Sequence, residues 1–218
     1  MPQDIHRLRT NPISRLTPST SHHHHHHHLS TTRKPATMST HTLPSTSGGT
    51  ENPLDLAIQI IALLTCTNQT LAVAESLTAG SLMAALTSAP GASAVFRGGV
   101  VSYTTELKQH LLHVDGALIA REGAVHPDVA AQMAEGVRRR TTVAGAETTT
   151  WGVGTTGVAG PDEQDGKPPG TVYIGVAGPE GARSWGPFRF PGDREMVREA
   201  AVGEALARLR EVLVERRG

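Results

Sequence analysis

The feature that most constrains this chain is an alternation of short buried-strand patterns with helical ones. Thr70 to Ala74 (TLAVA) reads as a buried strand, and Leu82 and Leu86 mark the inward face of a helix predicted over Thr78 to Ser88. Pro90-Gly91 stops that helix. Gly99 to Tyr103 (GVVSY) predicts a second strand, and a short helix follows around Glu106 to Leu112. Pro127, a residue favoured in a first turn, opens a helix that runs through Met133 toward Arg140. Thr149 to Thr155 predicts a strand, and a Gly/Pro-rich loop covers Gly157 to Gly170. Thr171 to Val176 (TVYIGV) and Arg183 to Phe190 predict two more strands, joined through the hairpin signal Gly178-Pro179-Glu180-Gly181. Asp193 to Glu215 reads as a long closing helix. Strands that alternate with helices and end in a hairpin imply an α/β fold, a mixed sheet covered on both faces.

The first 52 residues do not share this pattern. They are rich in Ser, Thr, Pro and His and lack hydrophobic periodicity, so they are expected to form a disordered low-complexity tail. The run His22 to His28 reads as a purification tag or a chance tract, and Met38 is a possible alternative start. From Pro53 onward, Leu54, Ile58, Ile61 and Leu64 recur at helical spacing, so residues 53–218 are taken as one domain.

Several function classes are disfavoured. Lys and Arg total 20 and so do Asp and Glu, which leaves no general electrostatic pull toward nucleic acid or an anionic membrane. Aromatic residues make up 3% of the chain, too few for a base-stacking platform. No apolar run is long enough to span a bilayer, and the N-terminus has no signal-peptide pattern. Cys66 is the single cysteine, which suits a reducing compartment. A cytoplasmic location is therefore expected.

Three stretches could carry chemistry. In Ala74-Glu75-Ser76-Leu77-Thr78-Ala79-Gly80, a buried strand turns into a helix. A serine there projects at the carboxyl edge of the sheet, beside helix-terminal N–H groups that can hold an anion or an oxyanion. Ser76 or Thr78 could equally be a helix cap. In Tyr103 to Lys108 (YTTELK), a lysine in a dry pocket could serve as general base for a serine. An exposed helix lysine is the plainer reading. Gly152 to Gly157 matches G-x-G-x-x-G, but Val158-Ala159-Gly160-Pro161 follows where a dinucleotide site needs a helix. A glycine-rich loop remains, able to cradle a phosphate, with Thr155, Thr156 and Lys167 as nearby donors. His110 and His113 have ligand-like spacing without a completing Cys or carboxylate cluster, so they read as helix-surface residues and no metal is expected. Arg138 to Arg140 read as a solvated helix end.

Taken in order, AESLTAGSLMAAL, PGASAVFRGGVVSYTTELKQHLL, GAVHPDVAAQMAEGVR, TTGVAGPDEQDGKPPGTVYIGV and FPGDREMVREAAV resemble the C-terminal domain of the competence/damage-inducible protein CinA. That domain is also found as stand-alone nicotinamide-nucleotide amidases. The resemblance spans about residues 53–215. It implies a three-layer α/β/α fold around a mixed, mostly parallel sheet, in a dimer or higher homo-oligomer. It also implies a small-molecule substrate: nicotinamide mononucleotide and water would give nicotinic acid mononucleotide and ammonia, with no cofactor. Ser76 would be the nucleophile and Lys108 the base, with Tyr103 assisting. The substrate-binding set expected with this mechanism is Glu75, Thr78, Ala79 and Gly80, with backbone N–H groups around Thr78 to Gly80 on the oxyanion, and Thr156, Gly157, Ala159 and Gly160 on the phosphate. The family's common AESCTGG is AESLTAG here, and the usual serine before Pro127 is His126, which is expected to cap its helix less well. Asp162-Glu163-Gln164-Asp165 stands where glycines are common and puts negative charge beside the expected phosphate site. That loop favours an alternative, a nucleotide-binding module without turnover linked to competence or DNA damage. A Tyr/Lys oxidoreductase would need the dinucleotide site that Gly152 to Gly157 does not make.

Overall fold

The computed structural model describes residues 51–216 apart from Ala146. The expected tail with His22 to His28, and with it His6, Met38 and His41, lies outside the described residues. The elements in chain order are α1 (Pro53–Cys66), β1 (Leu71–Glu75), α2 (Ser81–Thr87), α3 (Ala92–Val95), β2 (Phe96–Val101) and α4 (Thr105–Leu112). They continue with α5 (Gly116–Glu122), α6 (Pro127–Arg140), β3 (Trp151–Gly157), β4 (Thr171–Gly178), β5 (Gly181–Arg189) and α7 (Arg194–Glu215).

Among the described residues the strands form one mixed sheet in the order β2-β1-β3-β4-β5. β1 runs parallel to both β2 and β3, while β3–β4 and β4–β5 are antiparallel. Side-chain alternation along β1 separates two apolar layers. Leu71 and Val73 face a cluster built with α1, α2 and α7, including Ile60, Leu82 and Leu206. Ala72 and Ala74 face a second cluster with Leu112, Leu118, Val129 and Met133 from α4, α5 and α6. Every β1 position is buried, as a strand covered by helices on both sides requires. The fold is therefore a three-layer α/β/α domain.

α1 begins at Pro53, where the composition changes, and its cap lies one residue earlier. Asn52 caps it by accepting from the Leu54 N–H at 2.9 Å, ahead of Pro53 in the first turn. Its buried face is Leu56, Ala57, Ile60, Ile61 and Leu64, whereas Leu54 and Ile58 are exposed. Two short helices, α3 and α5, escape the sequence pattern because neither is long enough to establish a period. β2 starts at Phe96 and ends at Val101, so Tyr103 lies in the connection before α4.

The G-x-G-x-x-G residues lie within β3, where two of the glycines are packing devices. A Cβ on Gly154 would sit 2.4 Å from the Ala130 carbonyl oxygen, and one on Gly152 would sit 2.0 Å from that of Ala134. Gly175 on β4 meets the same Ala130 oxygen at 2.2 Å. The backbone of α6 thus rests directly on the sheet, and any side chain at these positions would lift it. Gly175→Ala is expected to destabilise the fold by about 1–3 kcal/mol. A lower urea midpoint with an unchanged slope would report that loss, and an unmoved midpoint would contradict the close-packing account.

Candidate active site

Ser76 directly follows the last residue of β1, at the carboxyl edge of the sheet. Its N–H donates to the Thr155 carbonyl at 3.1 Å, which continues the β1–β3 pairing by one residue. The chain then makes a compact turn instead of starting a helix. Ala79 (φ 50°) and Gly80 (φ 100°) adopt left-handed conformations, so α2 starts only at Ser81. The Glu75 carboxylate lies beneath this turn and accepts from the N–H groups of Gly80 (2.8 Å), Leu82 (3.2 Å) and Met83 (2.8 Å). Glu75 is therefore the side chain that satisfies the start of α2. Ser76 and Thr78 are not its caps: Thr78 Oγ1 pairs with Thr155 Oγ1 at 2.8 Å. Arg198 of α7 donates to the Thr78 carbonyl at 3.2 Å and to Ser81 Oγ at 3.1 Å.

The Ser76 hydroxyl instead meets Lys108. Lys108 lies on the buried face of α4 with Leu112 and is 2% exposed. Its Nζ is 2.9 Å from Ser76 Oγ, 2.8 Å from the Ser102 carbonyl and 3.3 Å from the Tyr103 carbonyl. Burial pushes its pKa down to about 8, against a smaller upward pull from Glu106. The two carbonyls match the two N–H bonds of a neutral amine. They leave its lone pair for the serine hydroxyl.

Tyr103 is 52% exposed, and its phenol oxygen accepts from Arg194 at the start of α7. The same guanidinium donates to the Gly160 carbonyl at 2.8 Å. Arg194 therefore ties the tyrosine to the loop after β3. The sequence pattern did not single it out, although one signal was present: Arg194 opens a long helix, where the dipole disfavours a cation.

Ser76, Tyr103, Lys108 and Arg194 line one cleft of about 360 Å³. Of the expected substrate-binding residues, Thr156, Gly157, Ala159 and Gly160 also line it. Glu75, Thr78, Ala79 and Gly80 do not, because they build the turn behind the serine. The expected hydroxyl and ammonium donors are engaged elsewhere. Thr156 Oγ1 donates to the Ala124 carbonyl at 2.7 Å, and Lys167 Nζ donates to the Glu122 carbonyl at 2.9 Å. Among the described residues the N–H groups of Ala159 and Gly160 have no partner. Asp162, Glu163 and Gln164 reach the cleft, while Asp165 turns away and accepts from the Ala124 N–H at 2.9 Å.

His126 caps α6 through Nδ1, which accepts from the Asp128 N–H at 3.2 Å. The replacement of serine there keeps a working acceptor. His110 and His113 are both exposed. The basic helix end is more engaged than expected: Arg138 and Arg139 pair with Glu135, and Arg140 donates to the Leu111 carbonyl at 2.8 Å.

The family model of the CinA C-terminal domain matches residues 54–213. A CinA-like protein of Frankia casuarinae is 50% identical over 166 residues, which are 76% of this chain and 36% of that protein. A CinA-like protein of Synechococcus elongatus is 46% identical over 73% of this chain and 37% of its own length. The chain thus spans roughly a third of the length of the curated relatives it matches. A crystal structure of a competence-damaged protein (CinA) superfamily protein from Klebsiella pneumoniae has a TM-score of 0.68 at 31% identity. It covers 76% of this chain and 99% of its own. The competence/damage-inducible protein CihA from Agrobacterium tumefaciens is similar at a TM-score of 0.67 and 32% identity, over 78% of this chain and 99% of its own. Motif order, sheet topology and a match through nearly all the described residues agree: the chain belongs to the CinA C-terminal domain family.

Proposed function

We propose that this chain hydrolyses the carboxamide of nicotinamide mononucleotide to nicotinic acid mononucleotide and ammonia, through an acyl-enzyme on Ser76. The observation that carries this reading is the 2.9 Å contact between Ser76 Oγ and the buried Lys108 amine inside a cleft. A serine hydroxyl needs a base to become a nucleophile, and a lysine with its pKa near 8 supplies one at physiological pH. The choice of amide rests on the family resemblance.

In this mechanism neutral Lys108 takes the Ser76 proton as Oγ attacks the carboxamide carbon. The carbonyl oxygen becomes an oxyanion, held by backbone N–H groups of the turn after Ser76, each contributing about 3 kcal/mol. Lys108 returns the proton to the departing nitrogen, and ammonia leaves. Water, with its proton taken by the same amine, then attacks the acyl carbon and frees Ser76. Tyr103, which lines the cleft and is held by Arg194, assists the protonation of the leaving nitrogen. The 5′-phosphate is assigned to the side formed by Arg194 and the open N–H groups of Ala159 and Gly160. Asp162 and Glu163 on the same cleft are the observation behind a second reading, a module that binds the nucleotide without turning it over.

Incubation with nicotinamide mononucleotide separates the two. Ammonia release is expected, and binding without release would favour the module. Ser76→Ala and Lys108→Met are each expected to lower kcat at least about 10³-fold with the fold retained. Near-normal turnover by folded Ser76→Ala would exclude the acyl-enzyme.

The pH dependence has a definite sign. Lys108 acts only when neutral, and its neutral fraction grows as pH rises through about 8. The ratio kcat/KM should therefore climb from pH 6, pass half its plateau near pH 8 and level off roughly a unit above that. A flat profile from pH 6 to 9 would remove Lys108 as the base.

A further inference from the structure

The Glu75 side chain is fully buried, yet the mechanism above gives it no role. Its carboxylate touches no substrate-facing surface of the cleft. It spends both oxygens on the backbone N–H groups of Gly80, Leu82 and Met83, and no cation pairs with it among the described residues. A buried carboxylate held only by main-chain donors is an expensive arrangement, so its position needs an explanation.

The hydrogen bonds of the turn supply one. The Ser76 N–H goes to Thr155, that of Ala79 to the Ser76 carbonyl and that of Ser81 to the Thr78 carbonyl. Glu75 takes Gly80, Leu82 and Met83. Of the N–H groups from Ser76 to Met83, those of Leu77 and Thr78 are left without a partner among the described residues. Leu77 immediately follows the serine and lines the cleft with it. An oxyanion formed at the carbon under attack by Ser76 lies next to the N–H of the following residue, the arrangement that nucleophile turns of unrelated hydrolases use.

We propose that Glu75 is a positioning residue of the acyl-transfer site. It draws the donors of Gly80, Leu82 and Met83 inward, holds the left-handed Ala79-Gly80 turn, and so leaves the Leu77 N–H, backed by that of Thr78, as the oxyanion donors. The role assigned to Gly80 from sequence is thereby transferred to Leu77. Arg198 secures the opposite side of the same turn through the Thr78 carbonyl and Ser81 Oγ. The turn is held between a carboxylate below and a guanidinium from α7. This inference rests on the reading of Ser76 as the nucleophile.

Glu75→Gln tests it. The isosteric amide keeps the volume but puts an NH₂ against a backbone N–H, so the turn loses at least one acceptor. Active sites are counted first, by labelling of Ser76 with a fluorophosphonate that reacts with nucleophilic serines. Turnover is then expressed per labelled serine. The expected result is a fall in kcat per labelled serine of about 10²-fold, with KM within about threefold of wild type. A purely structural role would lower the labelled fraction and the melting temperature while leaving turnover per labelled serine at the wild-type value. That outcome would overturn the proposal. If Glu75→Gln does not fold, Glu75→Asp, which keeps both oxygens but withdraws them by one methylene, is judged by the same two numbers. Failure of wild-type enzyme to label at Ser76 would overturn the nucleophile reading and this proposal with it, and the wild-type control alone identifies that case.

Discussion

The site depends on keeping a lysine amine out of water. Lys108 is 2% exposed, and lowering its pKa from 10.5 to about 8 corresponds to roughly 3 kcal/mol held against the charged form. Such a cost is tolerable because the amine has three oxygen neighbours at fixed positions, two of them main-chain carbonyls from the segment that enters α4. The placement also explains why α4 must pack closely. Lys108 and Leu112, four residues apart, form its buried face, so the amine is anchored by the contact that buries the helix. The base proposed for Ser76 is thus held in place by the core itself.

The same economy runs through α7. Its long apolar face, with Val197, Ala201, Leu206 and Leu209, secures it against the sheet. From that support its first two turns send out Arg194 and Arg198. One reaches Tyr103 and the Gly160 carbonyl, and the other reaches the turn behind Ser76. Segments far apart in sequence are thus joined through the end of one helix. Asp193 caps that end, accepting from the N–H groups of Glu195 and Met196 at 3.0 Å each. It supplies the negative charge that the helix start favours, which offsets the unfavourable position of Arg194.

Much of this was legible in the sequence, and the failures have identifiable causes. The strand-to-helix alternation showed the layers because each buried strand needs apolar cover on both sides. The AES and YTTELK segments showed the serine and lysine as candidates. Their meeting could not be read from spacing, because it depends on β1 and β2 being parallel neighbours with both carboxyl ends at one edge. The turn after Ser76 was misread as helix. The residues Thr78 to Gly80 have no strong breaker except Gly80, and the left-handed turn at Ala79 is held by Glu75, a contact between residues on either side of Ser76. The G-x-G-x-x-G residues lie within β3 and open no helix, and the physical purpose of Gly152 and Gly154 lies in the distant Ala134 and Ala130 carbonyls of α6. The need for glycine comes from a helix that is distant in sequence, so the local pattern does not carry it.

The acidic stretch shows most clearly how a chain's charge pattern differs from a site's. Read linearly, Asp162, Glu163 and Asp165 place three negative charges beside an expected anion site. In space they divide. Asp165, held at φ 51°, spends its carboxylate on the Ala124 N–H, while Lys167 holds the Glu122 carbonyl from the same loop. Both contacts fasten the loop to the segment that precedes α6 and forms the far wall of the cleft. Asp162 and Glu163 remain at the cleft, but both are exposed, where water and salt screen a charge within about 8 Å. The N–H groups of Ala159 and Gly160, to which the proposed function gives the phosphate, line the same cleft, belong to the backbone and have no partner among the described residues. Their orientation is set by Val158, whose N–H and carbonyl bond Thr171 and Gly170 at 2.8 Å each. Backbone dipoles in a pinned loop weigh more at close range than two solvent-exposed carboxylates, so an acidic run is compatible with the phosphate position proposed for the same segment.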